Sequence, residues 1–317
     1  MTQVASSNLL IVSPPHAGQR LDAFLVRSTG DARSRAEWQR LIDLAAVSVN
    51  DRPARPGQRL TSGDRIQIAP DLPSRSAPDP APDPDVPFDV LFEDPSMIVL
   101  DKPAGVVVHP APGNEQGTLV NGLLARYPEL AADTFDQRPG IVHRLDQDTS
   151  GVMVVGRTTA ATATLQRQMQ RRTTEKRYLV LVRGNLPEDE GLIDAPIGRD
   201  ARHRQRMAVR AGGRSAQTRF RVLDRFGDYT LLEALLLTGR THQLRVHFAS
   251  IGHPVAGDRS YGPGRGPGGL SRQFLHARLL RLRSPFDDVE HTFVADLPSD
   301  LTTTLDALRR RQSQLHP

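Results

Sequence analysis

Pro139-Gly140-Ile141-Val142-His143-Arg144-Leu145-Asp146-Gln147-Asp148-Thr149-Ser150-Gly151 is the most informative stretch of this 317-residue sequence. Glycines stand near both ends, at 140 and 151, and the apolar run Val152-Met153-Val154-Val155 follows. The pattern reads as a loop entering a strand, where a scaffold can aim polar side chains. It sets one or two carboxylates beside Arg144 and His143, and an adjacent cation keeps an Asp ionised at neutral pH even when partly buried. An Arg/Asp pair that only braces a turn has the same signature, and residue types alone leave both readings open.

Outward from this loop, strand and helix signals alternate without a regular βαβ rhythm. Strands are expected over residues 96–100, 151–155, 177–182, 216–223, 229–237, 274–282 and 290–295. Helices are expected over 118–130, 160–171, 241–251 and 299–311. Many neighbouring strands joined by short turns predict a mixed, mostly antiparallel sheet, hence an α+β fold. No internal repeat and no nucleotide-binding glycine loop occurs. The run from Gly262 to Gly269 is low in complexity and reads as a flexible surface loop.

The clearest boundary is the Pro/Asp-rich run over residues 71–87, whose prolines preclude a helix or an interior strand and predict an extended tether. It separates a small unit, residues 1–70, from a larger one, residues 88–317. In the small unit a helix begins at Arg20-Leu21-Asp22 with Leu21, Phe24 and Leu25 on one face. Ser34 and Glu37 suit the capping of a second helix, which carries Trp38, Leu41 and Ile42 inward and leaves Arg35 and Arg40 outside. Val47 to Asn50 and Asp64 to Ile68 alternate as strands, with Gly57 and Gly63 supplying turns.

Hydrophobic residues make up 38% and charged residues 24%, as in ordinary globular proteins. No apolar run approaches the roughly 18 residues of a membrane span, and the first five residues do not open a secretion signal, so a cytosolic protein is expected. With no cysteine, disulfides, thiolate nucleophiles and Cys-ligated zinc are excluded. Of 41 basic residues only Lys102 and Lys176 are lysine. Nine arginines fall between Arg199 and Arg225, among them Arg202, Arg204 and Arg206, and this density favours a phosphate-binding arm over a solvated hairpin.

His143-Arg144-Leu145-Asp146, followed by Thr149-Ser150-Gly151, resembles the signature of the RluA/RluC/RluD-type pseudouridine synthases. The likeness continues through Asp101-Lys102-Pro103-Ala104-Gly105, Val108-His109-Pro110, Lys176-Arg177-Tyr178 and Thr238-Gly239-Arg240-Thr241-His242-Gln243-Leu244-Arg245. Gly252-His253-Pro254-Val255-Ala256-Gly257-Asp258, Tyr261-Gly262 and Leu275-His276-Ala277 extend it. Ser284-Pro285 departs from it, since His-Pro is common there. The small unit is similar to the RNA-binding module first known from a small-subunit ribosomal protein, with Asp51 where that family usually turns on glycine.

The resemblance implies isomerisation of uridine in structured RNA: C1′–N1 breaks, the base rotates, and C1′–C5 forms. The reaction is redox-neutral and transfers nothing from outside, so no cofactor and no metal are expected. Asp146 is implied as the essential carboxylate and Arg245 as its ion-pair partner. Tyr178 would stack on the flipped uracil and help move the C5 proton, directly or through water. Arg144 would fill the gap left by the extruded base or hold its phosphate. His143, Leu145, Thr149 and Gly151 would shape the loop. Arg35, Arg40, Arg202, Arg204, Arg206 and Arg240 are the expected RNA contacts. The module-plus-tether arrangement points to large-subunit (23S) ribosomal RNA, with transfer RNA as the alternative, and to a monomer.

Rival classes fit less well. Six of the ten histidines, His109, His143, His242, His247, His253 and His276, invite a metal-dependent hydrolase, but His242 and His247 are five apart where helical zinc ligands want four with a Glu between. A silent RNA-binding protein would not need the trio of Asp146, Tyr178 and Arg245. A glycosidase using Asp146 and Asp148 would want a sugar-stacking aromatic cluster, whereas the chain has one Trp and four Tyr.

Overall fold

The computed structural model describes residues 9–30, 33, 35–72, 80–111, 113–133, 139–203 and 206–315. Ser34, Arg204, residues 73–79 of the tether and the first five residues lie outside the described residues. The chain divides into two compact units, Met1–Ala81 with Ala131–Pro139 and Pro82–Leu130 with Gly140–Pro317.

The first unit contains β1 (Leu9–Ile11), α1 (Leu21–Ser28), α2 (Arg35–Asp43), β2 (Val47–Val49), β3 (Arg52–Pro53) and β4 (Arg65–Ile68). Its antiparallel sheet runs β1-β4-β2-β3. Leu21, Phe24 and Leu25 of α1 bury against Trp38, Leu41 and Ile42 of α2, and Val47, Val49 and Ile66 close the core. Each such side chain contributes about 1.5–3 kcal/mol on leaving water. Asn50 and Asp51 both take positive φ, 53° and 61°, as a two-residue hairpin turn requires. The Asn50 side chain fixes that turn, accepting from the Arg65 N–H at 2.9 Å and donating to Asp64 at 2.9 Å. Asp51 therefore serves in place of glycine. Asp22 is fully buried, where burial alone would raise its pKa; bonds from Arg20, Gln39 and Arg35 outweigh that and hold it well below the carboxylate range. Arg35 is thus engaged with Asp22 at 3.1 Å, while Arg40 is exposed.

The second unit contains β5 (Asp89–Glu93), β6 (Met97–Lys102), α3 (Leu119–Arg126), β7 (Ser150–Gly156), α4 (Thr159–Arg171), β8 (Glu175–Arg183) and β9 (Glu190–Asp194). It continues with β10 (Ile197–Arg199), β11 (Met207–Val209), β12 (Gln217–Arg225), β13 (Tyr229–Leu236), α5 (Gln243–Ser250), β14 (Leu275–Arg283), β15 (Glu290–Val294) and α6 (Ser299–Leu315). The main sheet runs β5-β6-β7-β14-β8-β13-β12-β9, with β15 also on β14. Its described pairings are antiparallel except β7 with β14, so the mixed α+β sheet expected from sequence is present.

Both faces of the central strands are covered, and alternation assigns the sides. Ile98, Leu100, Met153, Val155, Tyr178 and Val180 share a core with α3 and α5. Met97, Val99, Val152 and Val154 face the other way, onto Leu165 of α4. Leu301, Leu305 and Leu308 of α6 pack with Leu181 and Leu231. The parallel β7–β14 contact falls where the quoted loop ends. Gly151, at φ +118°, lies so close to β14 that a Cβ there would sit 2.3 Å from the Ala277 carbonyl.

Five local outcomes differ from or refine the sequence reading. Helix α3 stops at Arg126, because Pro128 disfavours helical geometry at Tyr127, and a 3-10 turn follows over Pro128–Asp133. Strands β5, β9, β10 and β11 have only three to five residues each, too few for alternation to reveal them. The end of the Pro/Asp-rich run is docked: the Asp83 N–H bonds Asn121 at 3.0 Å, and Val86 meets α3 at Gly122, where a Cβ would stand 2.9 Å from it. The glycine-rich segment read as a flexible loop includes a 3-10 turn, Pro267–Gly269, with Gly268 against Ala307 of α6. At the departing Ser284, the buried hydroxyl donates to Asp94 at 3.1 Å and accepts from the Phe286 N–H at 3.1 Å, which completes that turn.

Candidate active site

The loop between Gly140 and Gly151 is pinned along its length. Gly140 accepts from the Gly156 N–H at 2.9 Å, and the Val154 N–H donates to His143 Nε2 at 3.1 Å. That acceptor role needs a neutral ring. Burial, with Lys176 nearby, lowers the His143 pKa to about 3 and keeps it so. Leu145 is in the core, and Thr149 is buried, with its N–H closing a turn on the Asp146 carbonyl at 3.1 Å.

Lys102, wholly buried at the end of β6, donates to the carbonyls of Pro103, Val106 and Gln147 at 2.6, 2.8 and 3.0 Å. Burial pulls its pKa down to about 7, while Asp148 and Asp146 act in the opposite sense. Three carbonyls use all three N–H bonds of an ammonium; a neutral amine would turn its lone pair on one of them. Gln147 is clasped further, since its carbonyl accepts from Gly105 at 2.9 Å and its amide donates back at 3.1 Å. Segment 102–106 therefore holds the Asp146 turn from behind.

Next to Lys102, Asp101 is raised to about 6 by burial and by Asp89, its partner across β5 and β6. Its folded pKa exceeds the ordinary 3.8, so the folded chain binds the proton more tightly and loses stability as pH rises from about 4 through 6. Asp101→Asn is expected to raise the melting temperature relative to wild type at pH 7, with the gain vanishing near pH 4. Paired thermal melts across that range measure it, and a gain independent of pH would contradict it.

Asp146 meets Arg245, which reaches it from the first turn of α5, Nη1 donating to Oδ2 at 3.1 Å. The same guanidinium grips Asp258 through Nε at 2.7 Å and Nη2 at 2.9 Å. Asp258 is fully buried and also accepts the N–H groups of Ser260 and Tyr261. The Tyr261 ring lies 5.1 Å from the guanidinium. The Tyr261 oxygen accepts from the Met207 N–H at 2.9 Å, leaving its hydrogen for His242 Nδ1 at 2.8 Å. His242 Nε2 stands 3.9 Å from Asp146 Oδ1. Gln243 anchors this corner, its Oε1 accepting from Thr238 and from the Arg240 N–H while its Nε2 donates to the Gln217 carbonyl.

A cavity of about 880 Å³ opens over this arrangement, with Asp146, Tyr178, Arg144, Lys176, Arg214 and Arg240 in its lining. That is at the upper end of ligand pockets, roughly 300–1,000 Å³. Tyr178 is buried in its wall, and burial followed by the Asp146 charge raises its pKa, so the phenol stays protonated at neutral pH.

The structure thus brings Asp146, Tyr178, Arg144, His143 and Arg240 to one cavity, with Arg245 directly behind the carboxylate. The described arginines of residues 199–225 are spread over β10, β12 and the segments between them. Arg202 and Arg206 lie exposed between β10 and β11, Arg219 and Arg221 project from β12, and Arg225 pairs with Asp189; of the described members only Arg214 lines the cavity. Lys102, Asp258, Tyr261 and His242 had no role in the sequence reading. Asp258-x-x-Tyr261 was visible as a segment, but only folding shows that it brackets Arg245. Among the described residues no group of three or more His, Asp and Glu is placed to hold a metal ion, and no helix is long and apolar enough to cross a membrane. His247 and His276 are instead spent on internal bonds, to Thr218 and Ala195 and to Ser150 and Ala295.

A carboxylate under a cation-lined cavity, in a chain with a separate small basic unit, defines an enzyme acting on a polyanion. The chain matches the family model of RNA pseudouridylate synthase over residues 96–250 and that of the S4 domain over residues 19–66. An RNA pseudouridine synthase of Chloroflexus aurantiacus is 49% identical over 98% of this chain and 96% of its own. The ribosomal large subunit pseudouridine synthase D of Nitrosomonas europaea is 43% identical over 92% of this chain and 85% of its own. Among solved structures, human RNA pseudouridylate synthase domain containing 1 is 28% identical, with a TM-score of 0.53 over 71% of this chain and 95% of its own. The chain belongs to the RNA pseudouridine synthase family, and its reaction is the isomerisation of uridine in RNA.

Proposed function

We propose that this synthase modifies uridines of large-subunit ribosomal RNA, with Asp146 as the catalytic carboxylate. The Asp146–Arg245 contact carries the assignment of the carboxylate. Oδ2 is taken by Arg245, so Oδ1 is the oxygen presented to a nucleotide. The guanidinium beside Asp146 is fixed by Asp258 before any substrate arrives, the kind of preorganisation that acts in the transition state. Tyr178 packs against the flipped uracil and, being protonated, passes a proton on rather than starting as a base. The atoms balance without a partner: C1′–N1 breaks, C1′–C5 forms, the C5 proton leaves and N1 gains one.

Likeness to synthases named for the large ribosomal subunit, along nine-tenths of the chain, supports the choice of RNA. In this reading residues 1–70 form the RNA-binding module, 71–87 the linker and 88–317 the catalytic domain. The module adds a second contact with a large RNA and so raises the effective concentration of the catalytic domain. Arg40, Arg202, Arg206 and Arg240 supply RNA contacts, and the enzyme works as a cytoplasmic monomer in ribosome biogenesis. Pseudouridine mapping of total RNA with and without the gene tests this. One or a few ribosomal positions are expected to lose the modification and regain it with the wild-type gene; loss confined to transfer RNA would overturn the substrate.

A further inference from the structure

Lys176 is one of two lysines in a chain that otherwise uses arginine for every cation. The other, Lys102, is saturated by backbone carbonyls; Lys176 is not. It lies two residues before Tyr178 on β8, hence on the same face and about 7 Å along the strand. Its side chain is half-buried in the cavity wall and has no hydrogen-bond or ion-pair partner among the described residues. Its ammonium rests against the Gly239 turn, where a Cβ would come within 3.8 Å of Nζ. Burial lowers its pKa, the mark of a cation held out of water.

Besides Arg144, three guanidiniums line the cavity, those of Arg172, Arg214 and Arg240. Arg240 donates through Nε to the Ser215 carbonyl at 3.0 Å, which holds it beside Arg214. Its own pKa is lowered by burial and then by Arg214 and Arg172, so the three charges crowd one another. Arg172 follows α4 in the left-handed conformation, φ +59°, a capping position that glycine fills without strain. Neither Arg172 nor Arg214 has an ion-pair partner among the described residues. The two carboxylates of the lining are already committed, Glu175 to Arg177 and Arg281, and Asp146 to Arg245. Arg172 and Arg214 are exposed, but Lys176 and Arg240 are partly desolvated, and such cations are costly unless an anion completes them.

We propose that Lys176, with Arg172, Arg214 and Arg240, forms a phosphate subsite for the backbone flanking the flipped uridine. It rests on the reading above that RNA enters this cavity. A neutral uracil carbonyl on Lys176 would leave the three guanidiniums unbalanced, whereas a phosphate is completed by all four. The ammonium suits the confined position against Gly239 as a point charge, and the guanidiniums reach from the rim.

Lys176→Met and Arg172→Gly test it in the full chain, with Arg309→Gln, an exposed change on α6, as the charge control. Both test variants remove an unpaired or strained cation, so melting temperatures are expected to hold or rise. On large-subunit ribosomal RNA transcribed in vitro, KM is expected to rise about tenfold or more with kcat within about threefold. The slope of log kcat/KM against log salt should flatten by about 0.7–0.9 for each lost contact, and Arg309→Gln should change neither. Unchanged KM and slope, a loss confined to kcat, or a lower melting temperature with unchanged KM would overturn the subsite. If wild type leaves this RNA unmodified, the substrate reading fails, and filter binding of the same RNA by Asp146→Asn chains decides the subsite separately. Equal salt slopes with and without Lys176→Met sink it; a flatter slope supports it.

Discussion

Asp146→Asn is expected to lower the rate of pseudouridine formation by about 10³-fold or more while leaving the fold and RNA affinity in place. The asparagine keeps the shape of the side chain and loses its charge. Arg245, which bonds Asp146 through Nη1 alone, keeps both of its bonds to Asp258, so no buried cation is stranded. Nor does the turn depend on the carboxylate, since it is closed by the Thr149 N–H on a backbone carbonyl and clasped at Gln147 by Lys102 and Gly105. Stability and activity should therefore separate at this position. Single-turnover assays on ribosomal RNA, thermal melts and filter binding measure the three quantities. Activity within about tenfold of wild type would remove Asp146 from the chemistry, and a large fall in melting temperature would assign it to the fold instead.

The sheet was legible because its central strands carry the signals that burial demands. Residues 97–100, 152–155 and 178–182 are apolar runs that must be covered on both faces, and their alternation decides which core each residue joins. Edge strands such as Glu190–Asp194 have one solvated side and a polar composition, so nothing local marks them. In the site, Asp146, Arg144 and Tyr178 could be named from contiguous motifs, since one loop and one strand place them. Asp258 and Tyr261 could not be assigned, because their meaning is a contact with Arg245 thirteen or more residues earlier. The same holds for Lys102, whose third bond reaches the Gln147 carbonyl across 45 positions. The arginine-rich stretch is a different case. Its density along the chain was plain, but its distribution over β10, β12 and the segments between them was not, and among its described members only Arg214 lines the cavity.

Asp258 is where the largest loss of stability is expected. Burial alone would raise its pKa; the two bonds from Arg245 and those from the Ser260 and Tyr261 N–H groups reverse this and hold it below the carboxylate range. Asp258→Ala removes four acceptor contacts together and leaves Arg245, itself only 8% exposed, with one bond to Asp146. Stripping one partner from a buried ion pair costs about 3–5 kcal/mol, chiefly because the surviving charge is left in low dielectric. That mechanism has a signature that simple loss of packing lacks. If the stranded guanidinium is the source of the cost, Arg245→Met added to Asp258→Ala should recover part of it, and the double variant should be more stable than the sum of the single costs implies. Denaturant melts of wild type, both single variants and the double variant close that cycle. Costs that add, or an Asp258→Ala loss below about 1 kcal/mol, would show that Asp258 is not what holds Arg245 in place. A coupling of a few kcal/mol would mean that Arg245 owes its aim at Asp146 to a buried carboxylate that the substrate never touches.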